Sequence, residues 1–164
     1  IRMSLLDIDR ERIVRVTENL DRLGFSAHVT VGDACAGSEI FKPESFDQII
    51  ADVPCSALGV VRRNPDIKVL RRPTDINSFS SLQKNLLKGL WPTLKPDGHL
   101  LYVTCSILRY ENDEVIGTHV KNNANCKCIP IKEAWGFQTK YGRQLLQTVG
   151  QNDGLYFSLL RKAS

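Results

Sequence analysis

Three acids and two thiols are the residues of this chain whose types and placing can do chemistry. Asp7, Asp33 and Asp52 each close a short, largely apolar run, in Leu5-Leu6-Asp7, Val31-Gly32-Asp33 and Ile50-Ala51-Asp52. An ionised carboxylate only accepts hydrogen bonds, and one placed after the strand that leads into the first helix can take both hydroxyls of a ribose. An acid after the next strand can accept from an adenine amino group, so the set points to a nucleoside-containing cofactor. One aspartate at a strand end is an ordinary turn residue; the information lies in the coincidence of three. Cys55 lies just beyond Asp52, in Asp52-Val53-Pro54-Cys55, and Cys105 ends the next strand, in Val103-Thr104-Cys105-Ser106. A lone buried cysteine is usually packing. Two thiols at neighbouring strand ends beside a cofactor site are a candidate reaction centre, because a thiolate is a nucleophile.

These side chains need an open parallel sheet that brings them to one edge. Residues 1–7 read as a strand, and 9–24 as a helix with Ile13, Val16, Leu20 and Leu23 on one face and Gly24 as its stop. Strands are expected at 28–32, 46–52, 99–104, 127–131 and 154–161, with helices over 78–94 and 111–120. On the second helix Leu82, Leu86, Leu87, Leu90 and Leu94 face the core, and Lys95-Pro96-Asp97-Gly98 is a turn. Strands alternating with helices indicate an α/β fold with a parallel sheet. Residues 53–74 form a long irregular stretch, and 133–153 has no clear assignment.

The irregular stretch holds Arg62, Arg63, Lys68, Arg71 and Arg72. Such a cluster suits a polyanion, or else it is a solvated loop that serves solubility. The chain has 164 residues, 42% of them hydrophobic, with a net charge of +4, which is enough for one domain and excludes general disorder. With neither a long apolar run nor a signal peptide, a soluble cytoplasmic protein without membrane contact is expected. Five scattered cysteines read as free thiols of a reducing compartment, with Cys35, Cys126 and Cys128 as packing. The ligand spacing speaks against zinc, and no metal is expected.

Over nearly the whole chain, from Leu5 to Lys162, the order and spacing of these motifs resemble the RNA cytosine-5 methyltransferases, most closely the Sun (Fmu) branch that acts on small-subunit ribosomal RNA. Carrying the resemblance are Leu6-Asp7-Ile8-Asp9, Gly32-Asp33, Asp52-Val53-Pro54-Cys55-Ser56-Ala57-Leu58-Gly59, Arg62-Arg63-Asn64-Pro65-Asp66-Ile67-Lys68 and Thr104-Cys105-Ser106. The resemblance implies a Rossmann-like fold, mostly parallel, with an antiparallel C-terminal strand. It implies that Asp7 holds the ribose of S-adenosylmethionine, Asp33 its adenine, and that Asp52 lies near its methionine end and the target base. Cys105 would be the nucleophile towards carbon 6 of cytosine, and Cys55 would assist product release. The basic cluster would meet phosphates of RNA, with local Arg and Lys residues favouring the thiolate.

Three departures stand out. The family's glycine-rich loop and first strand would precede Ile1, so residues 1–164 read as one partial catalytic domain. Gln147 stands where the family usually has proline, and Leu155 where phenylalanine is common. A noncatalytic RNA-binding fragment is the alternative reading; an enzyme acting on a small molecule and a zinc-binding redox protein rank lower.

Overall fold

The computed structural model describes residues 1–148 and 150–164. Strand β1 (Ser4–Asp7) leads into helix α1 (Arg10–Leu23), which returns to β2 (His28–Val31). The carboxylate of Asp9 caps α1 by accepting from the N–H groups of Glu11 and Arg12, and Gly24 ends it in the left-handed region at φ 69°. The expected apolar stripe is present but only half covered. Ile13, Val16 and Leu20 are half-buried, while Leu23, at the end of the same stripe, is 53% exposed.

A short helix α2 (Gly37–Ile40) precedes β3 (Phe46–Asp52). The irregular stretch then proves partly helical: α3 (Ile67–Leu70) lies within it, and α4 (Pro73–Leu90) begins at its end. Helix α4 starts five residues earlier than expected because Pro73 takes its first turn, where a proline ring fits. The Asp75 carboxylate accepts from Arg72 N–H at 2.9 Å and secures that start. Leu94, assigned to the helix, opens β4 (Leu94–Thr104) instead. The turn at residues 95–98 survives as a bulge inside that strand: Phe46 pairs with Leu94 but Gln48 with His99, and Asp97 takes φ 61°. After β4 come α5 (Asp113–Asn122), β5 (Cys126–Ile129), β6 (Phe137–Gln138), β7 (Arg143–Leu145) and β8 (Leu155–Lys162).

Two sheets form among the described residues. Strands β1 and β2 pair in parallel. The larger sheet runs β3-β4-β8-β7-β6, with β5 also on β8. Strands β3 and β4 are parallel, and β8 runs antiparallel to both β4 and β5, so the last strand is reversed as expected. Leu87 of α4 and Val115 and Ile116 of α5 close over Leu94, Leu100, Tyr102, Tyr156 and Leu160 as a fully buried core. Residues 133–153 escaped assignment because β6 and β7 are two and three residues long and gain their order from pairing, β7 with β8 and β6 with β7. No helix among the described residues is long and apolar enough to cross a membrane.

Candidate active site

The parallel pairs carry their C-terminal ends, and hence the acids, to one side. Gly32 N–H donates to the Asp7 carbonyl at 3.0 Å, so β1 and β2 end side by side. Between them and β3 lies a cleft of about 610 Å³, lined by Asp7, Asp33 and Asp52 together with Gly32, Arg12 and Pro54. Leu82, Leu86 and Leu90 of α4 form part of its wall. Asp7 Oδ1 accepts Asp9 N–H at 2.8 Å and pairs with Arg12 at 3.1 Å. Asp33 Oδ1 accepts Cys35 N–H at 2.8 Å, and both Asp33 and Asp52 are exposed. Three carboxylates against one guanidinium make the lining rich in acceptors and net negative, suited to hydroxyl, amino and cationic groups.

The two cysteines meet beside that cleft. Asp52 pairs with Val103 in the β3–β4 register, and Val53 N–H continues it to the Val103 carbonyl at 3.1 Å. The chain segments that leave these strands therefore run together, and Cys55 Sγ stands 3.3 Å from Cys105 Sγ. Cys55 is buried and Cys105 half-buried. The Cys55 S–H as donor draws the Cys105 thiol down to about 7, against the opposing effects of burial, Asp52 and Glu111. That hydrogen bond, followed by burial, pushes Cys55 well above the ordinary thiol range. The source of thiolate stabilisation is thus Cys55, a correction to the expectation that nearby Arg and Lys side chains supply it. Burial raises Cys35 to about 11 and Cys126 to about 12, and raises Cys128 as well. Cys105 stands apart from all four.

Backbone and side-chain ties hold the two loops. Gly59 N–H donates to the Cys105 carbonyl at 2.8 Å, and Gly154 N–H to the Gly59 carbonyl at 2.7 Å. A methyl group on Gly59 would collide with the Gly154 carbonyl and come within 2.7 Å of Cys105 O. Gly59→Ala is therefore expected to destabilise the protein by about 1–3 kcal/mol in denaturant unfolding and to slow alkylation of Cys105. Gln147 Nε2 donates to the carbonyls of Leu58 at 3.1 Å and Gly59 at 2.6 Å, a tie that proline could not make.

The basic cluster divides. Arg71 Nε donates to the Ser56 carbonyl at 2.9 Å and its guanidinium lies 5.0 Å over the Phe79 ring, so this arginine braces the Cys55 loop. Arg62 and Arg63 both pair with Asp153, yet remain exposed. Lys68 and Arg72 are exposed.

Reasoning from sequence missed Glu111, Ser56 and Ser106, all fully buried. Glu111 Oε1 accepts Ser56 N–H at 2.6 Å, and Oε2 accepts the hydroxyls of Ser56 at 2.6 Å and Ser106 at 2.5 Å. A signal was there, since serine directly follows both cysteines. Asp113 was missed too: it takes hydrogen bonds from Thr139, Lys140 N–H, Tyr141 N–H and Tyr156, fixing the segment before β7.

An α/β sheet with its final strand reversed, and a concave acid-lined site at the strand ends, is the Rossmann-like fold of S-adenosylmethionine-dependent methyltransferases. Residues 2–161 match the family described as 16S rRNA methyltransferase RsmB/F, and the chain belongs to that family. It is 41% identical over 160 residues to a ribosomal RNA small subunit methyltransferase B of Pseudomonas putida, covering 98% of this chain and 37% of that protein. The protein of the same description from Enterobacter sp. is 43% identical, with 96% of this chain and 36% of that protein covered. Among solved structures, a methyltransferase homolog protein from Pyrococcus horikoshii superposes with a TM-score of 0.82 at 27% identity, covering 98% of this chain and 53% of that one. The chain thus spans 37% of the length of the Pseudomonas relative.

Proposed function

We propose that this chain is the catalytic part of a cytoplasmic enzyme that methylates carbon 5 of a cytosine in ribosomal RNA, with S-adenosylmethionine as donor. The observation that carries this reading is the Cys55–Cys105 pair, 3.3 Å apart at the ends of adjacent parallel strands and beside the acid-lined cleft. Family membership supports the same reaction class. The lining fits the donor: its acceptors suit two ribose hydroxyls (Asp7) and an adenine amino group (Asp33), and its negative charge suits the cationic methionine end (Asp52). When bound there, the donor supplies an electrophilic methyl group.

Carbon 5 of cytosine is a poor nucleophile. The Cys105 thiolate adds to carbon 6, the ring loses its aromaticity, and carbon 5 gains enamine character. Once carbon 5 carries the methyl group, its proton leaves to a base, the carbon 6–sulfur bond breaks, and the pair of electrons returns to Cys105. Cys55 has two candidate roles in that last stage, base or leaving-group partner. A buried thiol raised above the ordinary range is a poor base towards carbon 5 while it keeps its proton, so its S–H is better used to stabilise the departing thiolate. The base must leave any stack to reach a half-buried sulfur, which favours single-stranded or loop RNA. Exposed Arg62, Arg63, Lys68 and Arg72 are available to phosphates, whereas Arg71 serves the Cys55 loop first.

The test is product identity. The chain, alone and within a protein of its relatives' full length, is incubated with methyl-labelled S-adenosylmethionine and unmodified small-subunit ribosomal RNA, which is then digested to nucleosides. Label in 5-methylcytidine is expected from the longer protein at least. Label in another nucleoside overturns the reaction, and RNA binding that is salt-sensitive but yields no label from either protein supports a noncatalytic fragment instead.

A further inference from the structure

We infer that Glu111 is a positioning residue for the reaction: its buried carboxylate ties the Cys55 and Cys105 loops together and sets the contact between the two sulfurs. The inference rests on the reading of Cys105 as nucleophile.

Glu111 lies in the turn of 3₁₀ helix (Arg109–Glu111) just before α5 and is fully buried. Its two oxygens take three hydrogen bonds at 2.5–2.6 Å, all from the residues that directly follow the two cysteines. Ser56 and Ser106 are 50 residues apart in the chain, and their hydroxyls stand 3.3 Å from each other around the shared Oε2. The Glu111 backbone is fixed in turn, since its carbonyl accepts the Tyr102 hydroxyl at 2.6 Å from within β4. The turn therefore has a firm base in the sheet and reaches both loops at once.

Size alone does not account for this side chain. An apolar residue of similar volume would fill the space without the cost of burying a carboxylate. No lysine or arginine pairs with Glu111 among the described residues, so its compensation comes from hydrogen-bond donors on the two loops. Its charge also opposes ionisation of both thiols. Geometry and charge hence act in opposite directions on Cys105, and the sign of the effect separates them. Releasing the clamp loosens the sulfur–sulfur hydrogen bond, the largest influence on Cys105, and makes its thiolate harder to form. Removing the charge alone would make it easier.

Glu111→Gln keeps the size and one accepting oxygen, but its amide nitrogen cannot accept two hydroxyls. The measurement is the pH dependence of iodoacetamide alkylation at Cys105, followed by peptide mass mapping, with thermal unfolding recorded alongside. Neither RNA nor cofactor is present, so the result does not depend on whether the proposed reaction is correct. Expected is an upward shift of the midpoint by about one pH unit and a roughly fivefold slower reaction at pH 7. In the full-length protein, kcat falls while KM for RNA holds. Ser106→Ala keeps Glu111 and removes one of its three hydrogen bonds, together with the contacts of the same hydroxyl to Leu108 N–H and Ser56, so it serves if the first variant does not fold; a smaller upward shift is expected. A midpoint that stays or moves down in a folded Glu111→Gln protein, or an unchanged one in Ser106→Ala, overturns the inference.

Discussion

Cys105→Ser is expected to reduce methyl transfer by at least about 10³-fold, equivalent to about 4 kcal/mol of transition-state stabilisation, with little change in the fold. Serine has nearly the same shape, and the half-buried position needs no other partner than Cys55 Sγ at 3.3 Å. What is lost is the thiolate. A hydroxyl next to a thiol is not ionised near neutral pH, so addition to carbon 6 has no nucleophile. Single-turnover rates with methyl-labelled donor, together with unfolding curves, separate this outcome from misfolding. Transfer within tenfold of the unmodified protein would place the chemistry elsewhere.

Cys55→Ala is expected to act twice. In the unmodified protein the alkylation rate of Cys105 is expected to rise with pH through a midpoint near 7, because the Cys55 S–H favours the charged form. Without that donor the midpoint climbs towards the ordinary thiol value of 9.0, so at pH 7 the thiolate fraction falls by tenfold or more and is recovered as pH is raised. Release is the second effect. The departing Cys105 thiolate loses the S–H that stabilises it, so the adduct that does form persists. Turnover is expected to drop by about 10²-fold, with protein accumulating on RNA in denaturing gels. Raising the pH should restore formation of the adduct but not its release. A variant with a lower rate, no adduct and an unmoved midpoint would exclude both roles for Cys55.

How far the site could be read beforehand depends on the range of the interactions involved. Asp7 and Asp52 end short strands, Asp33 follows one by two residues, and Cys55 and Cys105 follow strand ends, so parallel pairing was enough to bring them to one cleft, although the pairs belong to two sheets. The stop of α1 at Gly24 is equally local, written in one glycine. Glu111 was legible only as a helix start, because its meaning depends on two serines brought to it by β3 and β4. Arg71 shows the opposite case: its charge and neighbours grouped it with a phosphate-binding cluster, but the fold gives it a carbonyl at the Cys55 loop. The turn at 95–98 was seen as an end to regular structure. In the folded chain the β3 partner strand continues on both sides of it, and the extra residues bulge out.

The covalent step is the central claim, and intact mass tests it most directly. The protein is incubated with S-adenosylmethionine and an RNA carrying 5-fluorocytidine, whose fluorine replaces the proton that must leave before the carbon 6–sulfur bond can break. A mass increase equal to the methylated RNA is expected, absent from Cys105→Ser and located on the Cys105 peptide. An adduct that survives Cys105→Ser, or none from a protein that methylates unmodified RNA under the same conditions, would contradict covalent catalysis by Cys105.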